Sequence, residues 1–111
     1  MFQEIKPISE FKGFVAYDCD NVYFFEGKKG SVASDHRHNY PDIVFLLKGE
    51  VELIIGTEKY HMKAPKKIII PPKVYHKFTA LTDVVAIEKK FSKFRYLLYS
   101  LGFKKLNYSR S

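Results

Sequence analysis

The chain contains no tryptophan and a single cysteine, Cys19. One thiol cannot close an internal disulfide. Long apolar runs are missing as well: stretches such as Ile43 to Leu47 are far too short to span a bilayer, which excludes a transmembrane helix. The first residues, MFQEIKPISEF, lack the apolar stretch of a secretion signal, so a cytoplasmic protein with no membrane association is expected. No repeat and no low-complexity segment occurs. With 111 residues, 46% of them hydrophobic, one core is feasible and two are not, so residues 1–111 are expected to form a single domain.

What the chain does have is punctuation. Strand-like runs cover Gly13 to Asp18, Asn21 to Glu26, Ser31 to His38, Ile43 to Lys48, Val51 to Ile55, Lys59 to Met62, Lys67 to Ile70, Tyr75 to Ala80 and Val84 to Lys89. Glycine or proline stands at nearly every joint, and short runs at regular spacing describe an all-β sandwich or barrel. Hairpins are expected at Cys19-Asp20, at Gly49-Glu50 and at Gly56 to Glu58. Met1 to Lys12 reads as irregular or as a short edge segment broken by Pro7. The close differs: Ser92 can cap a helix in which Phe94, Leu97, Leu98 and Leu101 fall at helical spacing, and Gly102 suits its end.

Formal charge is +7, of which +6 lies between Ala86 and Ser111, where seven basic residues face Glu88 alone. A basic segment interleaved with Phe and Tyr can attract an anionic partner. No recognition-helix or RNA-binding signature accompanies it, so packing is expected there and nucleic-acid binding is not.

The chemistry-bearing stretch is Gly30 to Gly49, GSVASDHRHNYPDIVFLLKG. Alternate residues of a strand share a face, so His36 and His38 form a chelating pair. A bend at Asn39, Tyr40 and Pro41 brings the Asp42 carboxylate towards them. His76 follows the Pro71-Pro72 turn, and a fold laying that strand beside the first completes a set of three imidazoles and one carboxylate. His61 fits no such pattern and reads as an ordinary strand histidine, while Asp35 and Arg37 alternate away from the pair.

These residues resemble the cupins, small β-barrels of the jelly-roll type. The first cupin motif is Gly, five residues, His-x-His, three or four residues, Glu, six residues, Gly. The chain supplies Gly30, SVASD, His36, Arg37, His38, NYP, Asp42, IVFLLK and Gly49, with Asp where the family has Glu. In the second motif, Pro65, KKIII, Pro71, Pro72, Lys73, VY, His76, KFT and Ala80 keep the proline and the histidine and depart at both glycines and the asparagine. The resemblance covers about residues 20–90, leaving a C-terminal basic helix and tail over about 91–111. It implies a cupin barrel with His36, His38, Asp42 and His76 as metal ligands.

Such a donor set suits a divalent transition metal, Fe, Mn, Ni, Co or Zn, and not Ca or Mg. Two open positions on a six-coordinate ion would serve water, substrate or dioxygen. The expected function is a metal-dependent enzyme of dioxygenase or isomerase type acting on a small oxygenated metabolite. The alternative is a non-catalytic ligand-binding or sensor barrel whose metal serves structure or capture. Catalytic residues are not identifiable beyond the ligands, and no further Glu or His stands out as a general base. Tyr40, Phe45, Tyr60, Tyr75 and Phe78 are candidates to line the cavity, and Lys73 is a candidate to reach its mouth. Open sheet edges and the apolar C-terminal helix point to a homodimer.

Overall fold

A computed structural model describes residues 1–11, 13–36 and 39–90, with side chains described for the same residues except 11 and 34–36. The C-terminal helix expected from Ser92 to Gly102 and the rest of the basic tail lie outside the described residues, as do Arg37 and His38 and the side chains of Asp35 and His36.

The described residues form strands and no helix. In chain order these are β1 (Ser9–Phe11), β2 (Phe14–Cys19), β3 (Val22–Gly27), β4 (Val32–His36), β5 (Asp42–Lys48), β6 (Glu50–Ile55), β7 (Glu58–Lys63), β8 (Lys66–Ile70), β9 (His76–Ala80) and β10 (Val84–Lys89). They make two antiparallel sheets, a six-stranded one ordered β1-β2-β3-β10-β5-β8 and a four-stranded one ordered β4-β9-β6-β7. No helix of the described residues is long and apolar enough to cross a membrane.

Period-2 patterning selects the buried face of each strand. Asp42, Val44 and Leu46 of β5 are buried, whereas Ile43, Phe45 and Leu47 point the other way. The same alternation buries Val51 and Leu53 on β6 and Ile68 and Ile70 on β8. These residues meet Ala80 and Val84 between the sheets, with Leu53 and Ile70 almost wholly removed from solvent. A fully buried aliphatic side chain is worth about 1.5–3 kcal/mol relative to exposure, so this layer is the main cohesive term between the sheets.

Two of the three expected hairpins are present. β2 and β3 pair across Asp20-Asn21, and β6 and β7 pair across Gly56-Thr57, with Gly56 at φ +60. The third is a correction. β5 and β6 do not pair: β5 lies between β10 and β8, while β6 lies between β9 and β7. The chain at Gly49 therefore passes from one sheet to the other. Its φ of +91 is a left-handed conformation that glycine adopts without penalty. The loop before β10 closes on this corner, where the Glu50 amide donates to Thr82 Oγ1 at 3.0 Å and the Leu81 amide to the Glu50 carbonyl at 2.9 Å.

Candidate metal and ligand site

The topology gathers the chemistry at one end of the two sheets. His76 opens β9 directly after the Pro71-Pro72-Lys73 turn, and Asp42 opens β5. Both are buried, each 5% exposed. His76 Nε2 lies 2.9 Å from Asp42 Oδ2. On its other side, His76 Nδ1 is 3.1 Å from the Val74 carbonyl oxygen. A carbonyl can only accept, so Nδ1 carries a proton and donates it, and the ring orientation is held by backbone. Nε2 is then the adaptable atom: protonated, it donates to the Asp42 carboxylate; deprotonated, it offers a lone pair beside that carboxylate.

The antiparallel ladder between β4 and β9 sets the backbone of His36 directly opposite that of His76, after an irregularity between Ser34 and His36. Three of the four expected ligands thus come to one end of the fold by backbone position; His38 lies outside the described residues. Among the described residues no group of three potential ligand side chains is gathered, and only Asp42 and His76 of the expected set have described side chains.

Glu88, noted from the sequence only as the lone acid of a basic segment, belongs to this site. On β10, Val84, Ala86 and Glu88 alternate onto the inner face, and Glu88 pairs in register with Val44 of β5. Asp42 stands two residues along the same face of β5, within reach of a long side chain on the diagonal. Burial, the negative charge of Asp42 and a hydrogen bond to Asp42 push the Glu88 carboxyl up to about 9. It therefore holds its proton at neutral pH and donates it to Asp42. Tyr40 completes the surroundings: burial first, then the charges of Asp42, Glu88 and Tyr23, raise its phenol above the ordinary value.

A pH dependence follows for the chelator-treated protein. Unfolded, Glu88 loses its proton near the ordinary value of 4.5; folded, near 9. The native state alone holds this proton between those limits, so its contribution is complete below pH 4.5 and is lost as pH rises to 9. The melting temperature should fall steadily between roughly pH 5 and 9, and Glu88→Gln should remove most of that slope. Parallel curves for the two proteins would contradict the assignment.

The other expected candidates separate by strand face. Of the five aromatic candidates, Phe78 alone lines the cavity between the sheets. Phe45 faces outward, with Lys67 Nζ 5.8 Å from its ring centre. Tyr60 is exposed and donates to Glu58, and Tyr75 is exposed. Lys73 is exposed in a turn at φ +62, the conformation expected where the family motif has glycine. His61, exposed on β7, sits 3.0 Å from Glu50 Oε2, in keeping with an ordinary strand histidine.

Comparison with known proteins agrees with this architecture. An RmlC-like cupin from Shewanella frigidimarina superposes with a TM-score of 0.64 at 19% identity, covering 77% of this chain and 79% of its own. KdgF from a Halomonas species gives 0.63 at 18% identity, covering 78% and 83%. A cupin-2 domain from Rhodospirillum rubrum gives 0.64 at 17% identity, covering 77% and 66%. At these identities the likeness is one of fold. No curated protein matches the sequence. The family model described as "Cupin domain" matches residues 23–88, more than half of the chain. Two facing antiparallel sheets, a match over that span and the His36, His38, Asp42 and His76 spacing together make this chain a member of the cupin-domain family.

Proposed function

We propose that the protein binds a divalent transition metal through His36, His38, Asp42 and His76 and uses it on a small oxygenated metabolite, as an enzyme of dioxygenase or isomerase type. The observation that carries this reading is the buried His76–Asp42 pair. Its Nε2 and Oδ2 are 2.9 Å apart and the far nitrogen is tied to the Val74 carbonyl. Two ligands at right angles, each about 2.1 Å from an ion, would stand ~3 Å apart, so the donors present fit a shared metal. The Asp42 side chain, one methylene shorter than the family's glutamate, reaches this position because it starts a strand beside β8 and next to β10.

When bound, the ion would supply Lewis-acid polarisation of a carbonyl or enol oxygen. The chain's own groups do the rest. Asp42 and His76 orient one another, Glu88 and Tyr40 hold protons beside them, and the hydrocarbon walls between the sheets give the neighbouring space an apolar lining. The proton-carrying pair gives an isomerase-type reaction the acid that the four ligands alone do not provide.

Cobalt-loaded protein tests this under air. Adding acetylacetone, an enol-type chelator, should shift the visible cobalt bands saturably, and His36→Ala should abolish the response. Unchanged bands and no exchangeable metal-bound water would overturn the enzyme reading. The apolar cavity between the sheets equally favours a capture module, and metal-dependent turnover that vanishes in His36→Ala would exclude that second reading.

A further inference from the structure

Between the sheets lies a cavity of about 80 Å³ whose walls, among the described residues, are hydrocarbon apart from one group, Glu88. Val44, Ile68, Phe78, Val84 and Ala86 are among the apolar residues around it. Two of its walls are shared with the site above: Glu88 hydrogen-bonds to Asp42, and the Phe78 ring stands edge-on to the His76 ring at 6.2 Å. The cavity therefore adjoins the proposed metal centre, with Glu88 and Phe78 standing between the two.

We infer that this cavity receives the body of the substrate, and that the substrate is a compact, mostly hydrocarbon molecule with one hydrogen-bonding head directed at Glu88. The inference rests on the reading of the barrel as a small-molecule site and adds the ligand class to it. Size sets one limit. A cavity of about 150 Å³ holds a six-carbon benzene ring and a single water needs only ~10–15 Å³, so about half the benzene volume accepts a body of roughly three carbons. Chemistry sets the other. A polyol placed here would bury several hydroxyls against hydrocarbon, where one carboxyl can match only one of them. Sugars are therefore rejected, while a short branched amide, acid or ketone fits. Ala86 controls the volume, because its neighbours on the inner face of β10 are the larger Val84 and Glu88.

The test uses the full chain loaded with zinc and labelled at its methyl groups, with isobutyramide and glycerol as probes of equal heavy-atom count. Isobutyramide should shift the Val44, Ile68 and Val84 methyl signals saturably, with a dissociation constant of about 1–10 mM. The outward-facing Leu47 methyls should stay still, and glycerol at ten times the concentration should shift none of them. Ala86→Leu, or the milder Ala86→Val should the first not fold, should abolish the shifts. Glu88→Met should weaken binding about five- to tenfold by removing the one polar partner. Equal response to glycerol, no response to isobutyramide, or shifts that survive filling at Ala86 would overturn the inference. Zinc content is measured on the same samples. Bound zinc without cavity shifts defeats this inference alone, and cavity shifts without bound zinc defeat the metal reading alone.

Discussion

Replacing Gly49 by alanine is expected to lower the melting temperature by about 12 °C, the equivalent of ~3 kcal/mol. Two costs add at this corner. A side chain at φ +91 is strained whatever surrounds it, at about 1–2 kcal/mol. The new Cβ would also lie 2.2 Å from the Asp83 carbonyl oxygen, 2.7 Å from Thr82 Oγ1 and 2.8 Å from Val84 Cγ1. Backbone cannot move aside as a flexible side chain does, and overpacking of this kind costs about 1–3 kcal/mol more. Gly30 provides the control, for it has nearly the same φ, +90, with nothing within 4 Å of a built Cβ. Gly30→Ala should cost the conformational part alone, about 1–2 kcal/mol. Thermal unfolding of both variants checks this, and equal losses would show that the chain does not turn tightly against Asp83.

The second large effect concerns the metal. His76→Ala should weaken zinc binding by at least about 100-fold, measured by calorimetry on chelator-treated protein, because it removes a whole ligand where second-shell changes alone cost 10–100-fold. Binding should also release protons at acid pH, where Nε2 must give up its proton to ligate. Asp42→Asn should weaken binding in the same direction. His61→Ala should leave it unchanged, as His61 sits exposed on β7 and faces Glu50. Equal zinc affinity in wild type and His76→Ala would remove this histidine from the site.

The strands were legible in the sequence because glycine, proline and Asp-Asn pairs interrupt short β-branched runs, and the structure places every expected strand within a few residues of its reading. Sheet membership was not legible. Two strands separated by Gly49 look alike whether they pair or cross between sheets, and the choice is made by distant residues, Leu81 to Val84, closing on the corner. The meeting of Asp42 with His76 followed from motif spacing. Glu88 was missed because it stands among the lysines of VVAIEKK and was counted as charge. A usable signal was present, since period-2 alternation puts it on the face of Val84 and Ala86, where a lone carboxylic acid among apolar residues marks a site. The aromatic residues could not be sorted, because face depends on register, and register turned Phe78 inward and Phe45 outward.

The most direct test of the account is the metal content, by plasma mass spectrometry, of protein purified from cells without added ions, beside a His36→Ala/His76→Ala double variant prepared identically. The account predicts about one transition-metal ion per chain in the first and a residual trace in the second. Wild-type protein that carries no ion and takes none up on reconstitution, or a double variant that retains a full complement, would contradict it.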